Sequence, residues 1–122
     1  MKPLSDLQLA VVSAIWELEA PTVQAVHASL AKERGIAETT VATVMKRMVE
    51  DGRLIREKSG RRFVYRVAQP EDSMKSSMVA DLLQKVFKGD TTALFAHLLS
   101  SRPSQEDLET IKRLIEKAEE SQ

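Results

Sequence analysis

The chain contains no cysteine, which excludes disulfides and thiolate metal sites and fits a reducing compartment. Its two histidines, His27 and His97, have no second histidine near them at ligand spacing, so no metal site is expected. No apolar run approaches the roughly twenty residues that a membrane span needs, so no membrane insertion is expected either. The opening residues lack a charged-then-apolar signal segment, and the expected location is the cytoplasm. A charge excess is missing too: 18 Lys/Arg balance 18 Asp/Glu, with a pI near 6.7. That removes the global basicity which is the first mark of a nucleic-acid-binding chain. Nor is there a nucleophile–base pair, a Gly-rich phosphate loop or a carboxylate cluster at metal spacing. Neither an enzyme nor a cofactor is therefore expected.

What is present begins with 122 residues, 43% apolar and 30% charged, the composition of a soluble globular protein. That length holds one ordinary domain or two small lobes that depend on each other. The charge, zero in sum, is unevenly placed. Residues 1–68 hold 11 Lys/Arg against 8 Asp/Glu, whereas residues 69–122 hold 7 against 10. Within 46–66 the count is 8 against 3, an excess of five packed into one short stretch. A neutral protein with one such patch can still bind phosphate, because the field that matters acts within about 10 Å, a Debye length.

All four glycines and all four prolines fall between periodic segments, which makes element boundaries easy to place. Ser5-Asp6-Leu7-Gln8 reads as a capping box opening a first helix. Its stripe is Leu7, Val11, Ala14, Ile15 and Leu18, with Leu9, Val12 and Trp16 as a second apolar face, the pattern of a central helix. Thr22 caps a second helix with Val23, Val26 and Leu30 inward, and Gly35 closes it. A third runs from about Glu38 to Asp51 with Val41, Val44, Met45 and Met48 at i, i+3, i+4, i+7. Arg53–Glu57 and Arg62–Val67, separated by the turn Lys58-Ser59-Gly60-Arg61, carry a hairpin signal. Pro70-Glu71-Asp72 reads as a linker. A fourth helix follows from about Ser73 to Lys88, a short fifth from Thr91 to Leu99, and a sixth capped by Ser104 with Leu108, Ile111, Leu114, Ile115 and Ala118 along it.

Three helices followed by a basic hairpin form the winged helix-turn-helix pattern, so the expected fold is mainly α with a small β-wing. The division is a DNA-binding domain over 1–70 and a helical dimerisation domain over 71–122. The third helix would enter the major groove, and the hairpin would lie along the backbone. Opposite its apolar stripe that helix carries Thr39, Thr40, Ala42, Thr43, Lys46 and Arg47. Threonine can hydrogen-bond a phosphate or base edge, its methyl and that of Ala42 can pack on thymine, and Arg47 can reach a guanine edge or a phosphate. Three threonines within five positions make little sense for helix stability alone. In the wing, Lys58, Arg61 and Arg62 cluster at or beside the tip, within reach of phosphates. Taken alone, such a wing also reads as an edge strand guarded by charge. Phe63, Tyr65 and Trp16 sit at apolar phases of their elements and read as core.

Three short amphipathic helices from some fifty residues do not close a core alone, and wrapping around a second copy is the simplest cover. The expected dimer surface is Met74, Met78, Leu82, Val86, Leu94, Leu98, Leu108, Ile111 and Ile115. A symmetric dimer would match a symmetric operator on double-stranded DNA.

The run Thr39-Thr40-Val41-Ala42-Thr43-Val44-Met45-Lys46-Arg47-Met48, then Gly52-Arg53-Leu54, Gly60-Arg61 and Tyr65, resembles the penicillinase-repressor (BlaI/MecI/CopY) family. Trp16 and Val86-Phe87-Lys88-Gly89 extend the resemblance, which reaches to about Lys117. It implies a homodimeric repressor on a dyad operator, controlling β-lactam-resistance, copper or related stress genes. Thr40, Thr43 and Arg47 match the family's DNA-contacting positions. It further implies release by metal binding, or by cleavage near Ala96-His97-Leu98 linked to a membrane sensor protease. The copper-responsive branch uses a C-terminal cysteine cluster, and this chain has none.

Two rivals remain on the sequence alone. A winged helix used only for protein–protein contact would explain the zero net charge. An enzyme using Glu106, Asp107 and Glu109 would need acids that already suit the start of the sixth helix through its dipole.

Overall fold

The computed structural model describes residues 2–122, and among these it contains six helices and one two-stranded sheet, a mainly helical chain. In order these are α1 (Asp6–Glu17), α2 (Val23–Arg34), α3 (Glu38–Glu50), β1 (Leu54–Ser59), β2 (Arg62–Val67), α4 (Glu71–Lys85), α5 (Thr91–Ser100) and α6 (Gln105–Glu120). None of the described helices is long and apolar enough to cross a membrane. Two compact units divide the chain, one ending at Lys75 and the other spanning Ser76–Gln122.

The first unit closes its own core. The Ser5 hydroxyl accepts from the Gln8 amide at 3.2 Å while the Gln8 side chain accepts from the Ser5 amide at 3.0 Å, the reciprocal cap expected of Ser-x-x-Gln. From that start α1 buries Val11, Val12, Ala14 and Ile15, covering more than one face, as its two apolar stripes predict. Thr22 caps α2 through the Ala25 amide at 3.1 Å, and Val26 and Leu30 turn inward. Val41, Met45 and Met48 of α3 are fully buried, and Leu54 at the root of β1 completes the cluster.

The exit from α3 is a Schellman turn. The Arg53 amide donates to the Met48 carbonyl at 2.8 Å and the Gly52 amide to that of Val49 at 3.0 Å, with Gly52 at φ 78°. A side chain at Gly52 would strain that backbone, so the glycine fixes the angle at which the wing leaves α3. β1 and β2 pair antiparallel from Leu54↔Val67 to Ser59↔Arg62. The connection is the two-residue turn Gly60-Arg61, tighter than the four-residue turn expected from sequence, and Lys58 and Ser59 belong to the strand. Gly60 has φ 64° and Arg61 does not share a positive φ, as a type II′ turn requires.

Of the linker expected at Pro70-Glu71-Asp72, Glu71 and Asp72 are helical instead. The Met74 amide donates to the Pro70 carbonyl at 3.0 Å, so α4 starts two residues before Ser73. Proline tolerates a helix start because its missing N–H has no helical partner there, and Glu71 and Asp72 in the first turn complement the dipole. At its other end α4 stops at Lys85 rather than Lys88, and the chain turns through Lys88 (φ 52°) and Gly89 (φ 83°).

In the second unit Asp90 caps α5 through the Ala93 amide and Ser104 caps α6 through the Asp107 amide, both at 3.0 Å. Leu94 is its one buried residue among those described. Leu83, Phe87, Leu108 and Ile111 are half-buried, and Met78, Val79, Leu82, Val86, Phe95, Leu98, Leu99, Leu114 and Ile115 are exposed.

Candidate nucleic-acid interface

With Val41, Met45 and Met48 locked inward, the helical period dictates what α3 presents outward. Thr39, Thr40, Thr43, Lys46 and Arg47 are all exposed, and Ala42 is half-buried on the shoulder of that face. No side chain caps the N-terminus of α3, where Ala37 takes the capping position. His27 steadies the turn before it. Its Nε2 lies 2.8 Å from the Ile36 carbonyl, and because a carbonyl only accepts, Nε2 carries the proton. That bond ties the body of α2 to the segment that starts α3.

Thr43 has less freedom than its exposure implies. Its hydroxyl donates to the Thr39 carbonyl one turn back, at 2.9 Å. The proton is committed, so toward a base edge the side chain offers a lone pair or its methyl. Lys46 and Arg47 make no hydrogen bond or ion pair among the described residues, and their charges are free for phosphate or a base edge.

The wing is anchored by bonds that no local pattern announces. The Tyr65 amide donates to the Pro21 carbonyl at 3.0 Å, so the α1–α2 connection runs beside β2. The Arg53 guanidinium also donates to the Lys2 carbonyl, and the Ala68 amide to the Arg53 carbonyl at 3.0 Å. Lys58, Arg61 and Arg62 project into solvent from this anchored frame. Arg66, part of the same basic stretch, is held by Glu57 at 2.7 Å, which removes one cation and one anion from the free set.

Trp16 and Tyr65 pack against the core as their phases predict, but Phe63 does not. It is 43% exposed and stands near the tip of the hairpin, opposite Lys58. Arg56 lies over its ring, 4.3 Å from the centroid. Arg56 is thus a wing cation that the sequence reading passed over, although its alternation with Lys58 along β1 was a usable signal.

Two residues of the expected dimer surface are already occupied within the chain. Met74 packs against the core of the first unit, and Leu94 is only 8% exposed. Met78, Leu82, Val86, Leu98 and Ile115 are exposed, with Leu108 and Ile111 half-buried. Ala96 and His97 are exposed on α5, where the His97 ring lies 5.4 Å from that of Phe87. Among the described residues no group of three His, Cys, Asp or Glu could hold a metal ion.

This arrangement has close counterparts. Residues 4–117 match the profile of a family described as penicillinase repressor. The transcriptional regulator BlaI of Mycobacterium tuberculosis is 27% identical over 118 residues, 95% of this chain and 85% of the relative. The methicillin resistance regulatory protein MecI of Mammaliicoccus sciuri is 21% identical over 115 residues, 93% of this chain and 94% of the relative. In structure, the monomeric form of BlaI from Bacillus licheniformis, solved in complex with the blaP half-operator, superposes with a TM-score of 0.52 at 30% identity. That match covers 58% of this chain and 87% of the other.

Proposed function

Because this chain belongs to the penicillinase repressor family, we propose that it is a transcriptional repressor that reads operator DNA with α3 and grips the backbone with its wing. The observation that carries the reading is the two-sidedness of α3. A fully buried Val41/Met45/Met48 stripe backs an exposed row of Thr39, Thr40, Thr43, Lys46 and Arg47, and an anchored basic hairpin follows directly. The assignment of residues up to about 70 to DNA, and of the remainder to dimerisation, is part of the same proposal. The nine exposed large apolar side chains of the second unit support it, since apolar surface left open on that scale marks an interface. Two copies would place two recognition helices on a dyad operator. The genes controlled would be those of β-lactam resistance or a related stress response, in keeping with a relative named as a methicillin resistance regulatory protein.

The test is selection of bound fragments from genomic DNA, followed by affinity measured against salt. Enrichment of a dyad site is expected, with log K falling linearly in log salt as counterions are released. No enrichment and no salt-dependent affinity would overturn the reading in favour of a protein–protein module.

Release is proposed to follow cleavage of α5 near Ala96-His97-Leu98 by a membrane sensor protease. Lys88 and Arg102, at φ 52° and 57°, sit just outside the two ends of this ten-residue helix. Left-handed backbone at non-glycine residues lowers the cost of local opening, and a protease needs the extended strand. Mass spectrometry of the protein recovered from cells before and after β-lactam challenge checks this. Intact protein alongside full derepression would overturn it.

A further inference from the structure

The wing carries an apolar group that the reading above leaves unused. Cross-strand partners share a face, so the register places Arg56, Lys58, Phe63 and Tyr65 together, with Glu57, Arg62, Val64 and Arg66 on the other side. Charge is sorted between the faces. The one wing carboxylate, Glu57, lies on the far side and is held by Arg66 at 2.7 Å. On the near side Phe63 stands opposite Lys58, under the Arg56 guanidinium at 4.3 Å. A groove of about 210 Å³ opens beside the ring, lined by Val23, Gln24, Arg61, Arg62 and Tyr65 as well, with no carboxylate.

Such a ring is poorly placed for core packing and well placed for an external partner. It is 43% exposed on a hydrogen-bonded strand, so it cannot fold away, and the cation over its face further restricts it. The surrounding cations select a polyanion. A phenyl group has no hydrogen-bonding atoms with which to read a base edge. Duplex DNA offers no free base faces for it to stack on. What an apolar ring between cations does match is the repeat of a nucleic-acid strand, in which a sugar with C–H surface lies between two phosphates.

We propose that Phe63 is a DNA-contacting residue of the wing: its ring packs on a deoxyribose of the operator backbone while Arg56 and Lys58 engage the flanking phosphates. The contact rests on the repressor reading, and it adds affinity that depends neither on base sequence nor on salt. Charged contacts release counterions and steepen the salt dependence, whereas an apolar contact does not.

The test compares the full chain with Phe63→Ala, Phe63→Leu and Arg56→Ala, each titrated with a selected operator and with random duplex at several salt concentrations. Phe63→Ala should weaken both duplexes about tenfold, the change expected when roughly 55 Å² of apolar surface is no longer buried. Its salt slope should stay at the unmutated value, and Phe63→Leu should recover part of the loss. Arg56→Ala should lower the slope by about one. Because the ring is exposed, the thermal unfolding midpoint of Phe63→Ala should not move, which separates lost contact from lost fold. Unchanged affinity of Phe63→Ala on DNA that the unmutated chain binds would overturn this contact and leave the repressor reading standing. A loss confined to sites bearing thymine at one position would also overturn it, in favour of methyl readout. If the unmutated chain binds neither duplex, the repressor reading fails and this contact fails with it.

Discussion

The two compact units place their apolar residues in opposite ways. In the unit ending at Lys75, ten residues from α1, α2, α3 and β1 form one buried cluster, and among the described residues Phe63 is its single exposed large apolar side chain. In Ser76–Gln122 Leu94 is the one buried residue described, and nine large apolar side chains are exposed. Each unit contains two helices with side-chain caps, α1 and α2 in the first and α5 and α6 in the second, so capping does not separate them. The difference is geometric. Where α1 presents two apolar faces, α2, α3 and the root of the wing can all pack on it. The second unit has no such central helix, and it is shorter, so surface outweighs interior. Apolar surface exposed on that scale fits the dimerisation role proposed above.

The sharpest way to break the comparison is to cut between the units. A fragment ending at Lys75 should keep a cooperative unfolding transition and sediment as a monomer. It should bind the full operator about 10²- to 10⁴-fold more weakly, the range over which linking two sites raises avidity. A dimeric and fully active fragment, by sedimentation and binding titration, would refute the division of labour.

Single substitutions should show the same asymmetry. Met45→Ala removes a fully buried side chain from the first unit and should cost about 2–5 kcal/mol in chemical denaturation. Leu98→Ala, at a side chain 53% exposed, should cost far less in a dilute monomeric sample and instead lower the dimerisation constant. Equal costs for the two would mean that the second unit has a core of its own.

Smaller effects sharpen the surface of the first unit. Arg47→Ala should weaken operator binding by about 1–3 kcal/mol and relax one base position if the contact is bidentate. If Arg47 touches phosphate alone, the loss should be uniform and the salt slope should fall by about one. Thr43→Val should change affinity least, by less than about 1 kcal/mol, because the hydroxyl proton already serves the Thr39 carbonyl and the methyl is retained. A larger loss in the same titration would show that the oxygen accepts a hydrogen bond from DNA.

Most of the architecture was legible because each boundary carries its own chemistry. Ser5 with Gln8, Thr22, Gly35, Gly52 and Ser104 mark ends through hydrogen bonds spanning three to five residues, and such bonds depend only on local order. The outward face of α3 was legible for a related reason: once Val41, Met45 and Met48 turn inward, the 3.6-residue period leaves Thr39, Thr43 and Arg47 outside. The start of α4 is not legible in the sequence, because proline and two acids suit a linker and a helix N-terminus equally well. The bond from Met74 to Pro70 decides between them.

Sequence by itself determined the order of the elements and the inward stripes of α1, α2 and α3, since both rest on spacing along the chain, and its residue identities carried the resemblance to the family. Only the tertiary structure decided that β2 runs beside Pro21, that Met74 belongs to the first core, and that Phe63 near the hairpin tip stays exposed. Phe63 and Tyr65 alternate alike in the sequence, yet Tyr65 packs against the core and Phe63 is left exposed beside the start of α2. Burial depends on what lies across from a residue in space, and the period of a strand records only which side it faces.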